Sequence, residues 1–482
     1  FSRIHSVKKI VFATPPLSLQ ERYGALAGAG NTMPCLGLLS LAAVAREKGF
    51  AVSLVEASSL GLSLDEAVKE ILFLSPDYAG LTSTTLSICS ASALAEKAKS
   101  GQKHLKVIVG GPHLTALPSE TLQAFPAFDY GVIGEGEATF VDLLDTLEHD
   151  GDVRKVSGIV HRDGDAVEVM ERRPFIEGLD SLPFPAWDLL EGFPERYRPP
   201  AFRFRRLPAA SLVTSRGCPN ACIFCDRSVF GNRCRSFSPG YILEMVKLLY
   251  HRYRIRELLI EDDTFFLSRQ RIREFCEGLL KEQVRLSWSC LGRVNTVDRE
   301  TLLLMKWAGC WQIGYGIESG DQKILDLAKK NISLEQVREA VRLTREAGIE
   351  SKGFFILGFP QEDKESLKHT EDFATTLPLD DMSVNFMTPF PGSQLYRDAH
   401  LYGTFDADWR KMNMLEVVFI PRGLTEADLI KVSRTLWKRF YLRPRIIFGY
   451  LMRLMRNPAI GLDLLRGFLA FTGLLLKRGG KG

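Results

Sequence analysis

Three cysteines within eight residues, Cys218-Pro-Asn-Ala-Cys222-Ile-Phe-Cys225, follow a short β-type run at Ala210–Thr214. A strand that empties into a cysteine loop sets that loop at the end of a sheet. Iron–sulfur clusters normally take four cysteines. Three thiolates hold three irons of a [4Fe–4S] cube and leave the fourth open to a small molecule. The competing reading is a zinc knot with Cys234 as fourth ligand. The step from Cys225 to Cys234 crosses a Gly-Asn turn and is not a paired CxxC, which weighs against zinc. An odd count of nine cysteines in 482 residues weighs against a disulfide scaffold.

Around this loop the chain alternates strand and helix signals, and its length allows two or three domains. Over residues 1–150 strands are predicted at Lys9–Ala13, Ala51–Glu56, Tyr78–Ser83, Lys106–Gly111 and Tyr130–Gly134. The helix that follows the second strand opens on Ser63 and Glu66, spaced as a capping box. This order predicts a doubly wound, Rossmann- or flavodoxin-like parallel sheet, with ligands at the carboxyl ends of its strands. Those ends carry small hydroxyls (Thr82, Ser83, Thr84) and glycine-rich turns (Gly110-Gly111-Pro-His113 and Gly134-Glu135-Gly136-Glu137). Residues 151–205 read as a connector, with a hairpin turning at Asp163-Gly164 and a segment rich in proline and aromatics. From 206 to 400 six strand–helix units follow, counting the strand before the cysteines, which predicts a partial (β/α)6 TIM-type barrel. Its strand ends carry Glu261, Asp262 and Asp263, then Arg293, then Gly316-Ile-Glu318-Ser319-Gly, then Gly358. An acid there can accept hydrogen bonds from an ammonium, and Arg293 can pair with a carboxylate.

The CxxxCxxC spacing, with Phe224 before the last cysteine, resembles the radical S-adenosylmethionine (SAM) superfamily. The resemblance implies that Cys218, Cys222 and Cys225 hold the cluster and that the open iron takes the methionyl amine and carboxylate of SAM. The reduced cluster then cleaves SAM to a 5′-deoxyadenosyl radical. It also implies SAM contacts at Glu261–Asp263, Arg293, Glu318, Ser319 and Gly358, with Phe224 against the adenine. The first 150 residues, with Met33-Pro-Cys-Leu-Gly-Leu-Leu-Ser-Leu and Gly110–Pro118, resemble the cobalamin-binding domain of the cobalamin-dependent branch. That implies corrin contacts at Thr82–Thr84, Gly110, Gly111, His113 and Gly134–Glu137. The Asp-x-His-x-x-Gly loop that gives cobalt a histidine elsewhere is missing, so the lower cobalt face is expected to lack a protein ligand.

The expected activity is methylation of an unactivated carbon, with an external electron donor of flavodoxin or ferredoxin type and a small, hydrophobic substrate. The alternatives are a cyclase or ring-rearranging enzyme with the same cofactors, acting on a tetrapyrrole or lipid, and a zinc-stapled nucleic-acid-binding protein. The last leaves the strand-end acids unexplained, and nucleic acid is not expected as a partner. Residues 401–482 are expected to be helical, basic and apolar. From Lys431 onward twelve Lys and Arg face a single acid, Asp463, so this segment carries +11 while the whole chain carries +4. Its apolar stretch after Arg466 is too short to span a bilayer and is expected to cap the barrel or lie peripherally on a membrane. The start, Phe1-Ser-Arg-Ile-His5, has no apolar signal core, and free cysteines point to a reducing cytoplasm.

Overall fold

A computed structural model describes residues 7–200, 202–456, 461, 465–467 and 469. The first residues, Phe1–His5, and most of the apolar stretch beyond Arg466 lie outside them. The chain divides into two compact units. The first runs through Ser18 and takes in Thr32–Tyr197 and Asp226–Gly231; the second holds Leu19–Asn31, Arg198–Cys225 and the chain from Asn232.

In the first unit, β1 (Lys9–Thr14), β2 (Ala51–Glu56), β3 (Tyr78–Thr82), β4 (Lys106–Gly110) and β5 (Tyr130–Val132) pair in parallel in the order β2-β1-β3-β4-β5. Runs such as Ile10-Val-Phe-Ala are buried on both faces, as a helix-covered parallel sheet requires. The strand order reverses between β1 and β3, the crevice where open α/β sheets bind ligands. Helix α1 (Leu36–Glu47) and helix α2 (Leu64–Phe73) belong to the first two crossovers, and α2 starts on the reciprocal Ser63–Glu66 box. The hairpin assigned to the connector has a structural role: β6 (Ile159–Asp163) pairs antiparallel with β5, and β7 (Ala166–Val169) with β6. It extends the sheet to seven strands. Sequence alone hid this because a hairpin's own turn signal does not say which edge it joins.

In the second unit, six parallel strands lie in sequence order: β8 (Ala209–Leu212), β11 (Glu257–Ile260), β12 (Ser287–Gly292), β13 (Cys310–Glu318), β14 (Glu350–Leu357) and β15 (Asp381–Phe386). A small hairpin, β9 (Ser215–Arg216) with β10 (Arg235–Ser236), brackets the cysteine loop. Register places Leu258, Trp288, Ile313 and Phe355 on the face that packs against helices. Trp288 meets Phe275 of helix α3 (Arg269–Lys281), and Tyr315 Oη meets Thr344 Oγ1 of helix α4 (Leu334–Glu346) at 2.7 Å. The opposite face carries Ser289, Gln312, Lys352 and Asp381. Every strand's carboxyl end lies on one side, where barrel chemistry sits.

The basic tail begins as helix α5 (Glu426–Tyr441) and helix α6 (Pro444–Arg456). Three of its arginines turn toward the barrel, while Lys431 and Lys438 are exposed. Arg439 pairs with Glu371 and Asp372, Arg445 with Asp380 at 2.7 Å, and Arg453 with Glu350. Tyr441 Oη donates to Asp381 at 2.5 Å, beside Lys352. The other face of α6 leaves Ile447, Phe448, Leu451 and Met455 between 46 and 74% exposed. Among the described residues no helix is long and apolar enough to cross a membrane.

Candidate functional site

The cysteine loop is anchored at both ends. Asp262, fully buried, accepts from Thr214 N (2.5 Å), Thr214 Oγ1 (2.6 Å) and Ser215 Oγ (2.6 Å), with Arg271 at 3.6 Å. Arg271 in turn donates to Thr214 Oγ1 at 2.9 Å. Next along, Asp263 accepts from Gly217 N at 3.1 Å, and Gly217 has φ +88°, which favours glycine there. The far side is pinned by backbone: Ile223 N donates to Ala328 O at 3.1 Å, and Leu395 N donates to Ile223 O at 2.9 Å. Of the predicted acid triplet, then, two members hold the loop, and Glu261 pairs with Arg203 at 3.1 Å.

Inside the loop Cys222 is buried, and Asn220 Nδ2 donates to Cys218 Sγ at 3.2 Å. Cys222 and Cys225 lie side by side and shift each other's thiols in opposite directions. Cys222 is held down, to about 6, by the bond from Cys225 and by the charges of Lys330 and Arg293. The Cys225 thiol is pushed up by the same bond and by burial. Among the described residues no three His, Cys, Asp or Glu side chains converge on a single-ion site. The three cysteines are instead spaced along the loop, and the two nearby cations, Lys330 and Arg293, suit thiolates. The donor set fits a cluster.

Behind Cys222 stands a buried ion pair. Lys330 Nζ is 2.6 Å from Glu318 Oε1, and each side chain is 9% exposed. Arg293 Nη2 donates to the Lys330 carbonyl, and Lys330 Nζ lies 6.0 Å from the centre of the Phe224 ring. Glu318 has φ +69°, uncommon for a non-glycine residue, at the point where the β13–β14 register shifts. Gly316 makes the pair possible: a Cβ there would lie 2.4 Å from Glu318 Oε1 and 2.8 Å from Lys330 Nζ. Ser319 is fully buried and bonded to Thr370 Oγ1 at 3.0 Å, so it braces the strand end. Gly358, at φ +94°, and Phe359 both donate to Glu362 Oε2, at 2.5 and 3.1 Å. Phe359 packs edge-on against Phe224 at 5.6 Å.

Sequence reasoning missed Lys330, Arg271 and Glu362. Lys330 follows another lysine in a loop, so nothing in the string marks which of the two turns inward. Glu362 had a signal, an acid four residues after a strand-end glycine.

In the first unit the predicted residues meet at the strand ends. Gly111 (φ +98°) packs on Ser83 so closely that a Cβ would sit 2.6 Å from Ser83 O. Ser83 Oγ donates to Gly110 O at 2.8 Å. Thr82 is half-buried and Thr84 exposed. His113 is buried, with Nδ1 3.3 Å from Thr85 Oγ1, and burial pulls its pKa down to about 4, so it is neutral. Gly134 N donates to Thr115 Oγ1 at 3.0 Å, Glu135 Oε2 accepts from Ile176 N at 2.9 Å, and Glu137 is buried in the first turn of its helix. A Cβ at Gly110 or Gly134 would meet nothing nearer than 3.6 Å, while Gly136 packs on Leu41. The ends of β4 and β5 thus leave backbone open to a flat ligand, which fits a corrin. A hub that sequence reasoning did not single out joins β1 and β2: Glu56 accepts from Cys35 N (2.8 Å), Ser59 Oγ (3.1 Å) and Thr14 Oγ1 (3.3 Å). Burial and Glu56 push the Cys35 thiol up to about 11.

Comparison with known proteins agrees with both units. The Radical SAM superfamily matches residues 212–374, and the B12 binding domain matches residues 24–144. An uncharacterized methyltransferase of Pyrococcus horikoshii is 32% identical over 444 residues, covering 92% of this chain and 94% of its own. The anaerobic magnesium-protoporphyrin IX monomethyl ester cyclase of Cereibacter sphaeroides is 28% identical over 404 residues, covering 82% of this chain and 64% of its own. In fold, the structure of the radical S-adenosylmethionine methyltransferase TsrM from Kitasatospora setae, with cobalamin and a [4Fe–4S] cluster bound, superposes with a TM-score of 0.73. It does so at 15% identity, covering 97% of this chain and 99% of that one. The chain belongs to the radical SAM superfamily, in the branch that carries a B12-binding domain, and is an enzyme whose cofactors are a [4Fe–4S] cluster, SAM and cobalamin.

Proposed function

We propose that this enzyme transfers a methyl group from SAM to an unactivated carbon of a small, hydrophobic substrate. The observation that carries the reading is the end-to-end match, 92% of one chain to 94% of the other, with a protein named a methyltransferase. When bound, the cluster and SAM supply a 5′-deoxyadenosyl radical and cobalamin carries the methyl group; cofactors do the hard chemistry while the protein binds and orients them.

The chain's own residues take these parts. Cys218, Cys222 and Cys225 ligate the cluster. Arg293 and Lys330 offer cations to the SAM carboxylate, and Glu318 offers an acceptor to its amine. Phe224 and the turn at Gly358 border the adenine. Glu261–Asp263 and Ser319 act mainly by fixing the loop and strand ends. Thr82–Thr84, Gly110, Gly111 and Gly134–Glu137 line the corrin, and His113, buried and neutral, supports that edge rather than binding cobalt. The first 150 residues serve cobalamin, residues 206–400 serve SAM, and the tail caps the barrel.

The cyclase match favours a second reading, ring closure on a tetrapyrrole without methyl transfer. Anaerobic incubation with methyl-labelled SAM, hydroxocobalamin, a reductant and cell extract separates the two. Label in a product of low polarity supports methyl transfer, whereas 5′-deoxyadenosine formed with no labelled product supports cyclisation. The exposed apolar face of α6 further supports peripheral membrane contact, and a one-electron carrier protein is the reductant the chemistry calls for.

A further inference from the structure

The six parallel strands of the second unit all begin at one end of their sheet, so the links that lead into them share one face, the base, opposite the cysteine loop. The link before β8, and the last helical turns and links before β11, β12, β13 and β14, carry six exposed cations: Arg206, Arg252, Arg254, Lys281, Arg285 and Arg345. The same segments expose two acids, Glu282 and Glu346. Both already face a cation: Glu282 lies 3.8 Å from Lys247 Nζ, and Arg342 donates to Glu346 at 2.5 Å. The acids at the strand starts are occupied as well. Glu257 is fully buried, Asp381 is buried beside Lys352, and Glu350 takes Arg205 and Arg453. The base is continuous, since Arg206 donates to Arg285 O at 3.2 Å and Lys306 donates to Gly348 O.

Large apolar side chains stand among these charges. Trp307, the last residue of the helix Arg299–Trp307, is 70% exposed, and Leu280, in the last turn of α3, is 45% exposed. Helix α6 lies on the same face: Arg445 reaches Asp380 just before β15, and Arg453 reaches Glu350 at the start of β14. Its outward side adds Ile447, Phe448, Leu451 and Met455. Beyond Arg456 the sequence carries Arg466, Lys477, Arg478 and Lys481 against Asp463, so the rest of the tail adds to the positive charge and does not neutralise the base. Cations interspersed with tryptophan and phenylalanine suit a lipid surface, where basic groups meet anionic headgroups and apolar groups enter the interface. A nucleic acid would use the charge and leave the apolar groups in water.

We propose that the base of the second unit docks on an anionic lipid bilayer, with Arg252, Arg254 and Arg285 over the headgroups and Trp307 and Phe448 in the interface. The inference rests on the membrane contact proposed above, which drew on α6 alone, and extends it to the whole base. Docked in this way, the cysteine loop at the opposite end of the sheet stays in water.

The test is flotation of the reconstituted full-length enzyme with vesicles of phosphatidylcholine alone and of phosphatidylcholine mixed equally with phosphatidylglycerol. Wild type should float with the mixed vesicles and much less with the neutral ones. Arg252→Glu/Arg285→Glu should weaken binding to the mixed vesicles at least about tenfold, since each basic group near an anionic surface contributes on the order of fivefold. Trp307→Ser/Phe448→Ser should lower about tenfold the binding that persists at about 0.5 M salt, where charge is screened. Arg299→Glu, at the other end of the helix that carries Trp307, should bind like wild type. All five positions are exposed, and iron retained after reconstitution shows that each variant is folded. Wild type that floats with neither vesicle, or an equal loss in Arg299→Glu, would overturn the proposal. So would tight binding of a mixed-sequence RNA without vesicle binding, which would assign the base to nucleic acid. Vesicle binding abolished by Trp307→Ser/Phe448→Ser and unmoved by the arginine reversals would overturn this inference while the contact through α6 stands. An enzyme that floats as expected and yields no labelled product would fail the methyl-transfer reading alone.

Discussion

Replacing Lys330 by Met removes half of the buried pair behind Cys222. The ammonium and Glu318 Oε1 are 2.6 Å apart, with each side chain 9% exposed. At an effective dielectric of about 20, that separation gives about 6 kcal/mol of gross attraction. Desolvation of both charges offsets much of it. The loss on deleting one partner is still large, about 3–5 kcal/mol, because the other charge is left buried and uncompensated. Glu318 also keeps its left-handed backbone, which costs on the order of 1 kcal/mol that the ion pair no longer offsets. We therefore expect Lys330→Met to destabilise the second unit by about 3–5 kcal/mol. Adding Glu318→Gln removes the stranded charge and should recover most of that loss. The assay is urea denaturation of cluster-free protein followed by tryptophan fluorescence, since Trp288, Trp307, Trp311, Trp409 and Trp437 all lie in the second unit. A loss below about 1 kcal/mol, the range of an exposed pair, would mean that the pair is not buried and coupled in solution. So would a double variant whose loss is the sum of the two single losses, because coupled neighbours do not add.

Three further outcomes are expected. Asp262→Asn leaves Arg271 without its carboxylate and should cost about 1.5–3 kcal/mol, the range for hydrogen bonds to a charged group; iron retained after reconstitution should fall with it. Burial raises the Glu362 carboxyl to about 8, above its ordinary value. The stability it contributes is complete below the unfolded value and is lost as pH rises towards and through 8; urea midpoints at acid, neutral and alkaline pH should show that slope in wild type and not in Glu362→Gln. Liposome flotation should keep a part that salt does not abolish, because the outward face of α6 is apolar and Arg439, Arg445 and Arg453 pair with barrel acids, although Lys431 and Lys438 lie exposed. Binding confined to anionic lipid at low salt would count against that.

The sequence made the strand–helix rhythm legible because parallel strands buried on both faces read as apolar runs, as in Lys106-Val-Ile-Val and Glu257-Leu-Leu-Ile. The polar residues at strand ends stood out for the same reason: Glu261–Asp263, Arg293 and Glu318 each follow such a run. What each acid does was not legible. Asp262 and Asp263 are consecutive, yet one meets Thr214, Ser215 and Arg271 while the other meets Gly217 N, and only the three-dimensional path of the cysteine loop decides that. Lys330 escaped notice because its role depends on a contact twelve residues back, made through the left-handed turn at Glu318. The tail's +11 suggested a charged outer surface. The helix instead turns Arg445 and Arg453 inward, because the barrel's Asp380 and Glu350 need partners.

In the function proposed above, three cysteines hold a cluster whose fourth iron is open to SAM. Electron paramagnetic resonance of the anaerobically reconstituted, reduced protein, with and without SAM, tests it most directly. About four irons per chain are expected, with a signal whose g-values shift when SAM is added, both lost in Cys222→Ala and kept in Cys234→Ala. Stoichiometric zinc without iron, or a cluster signal that SAM leaves unmoved, would contradict it.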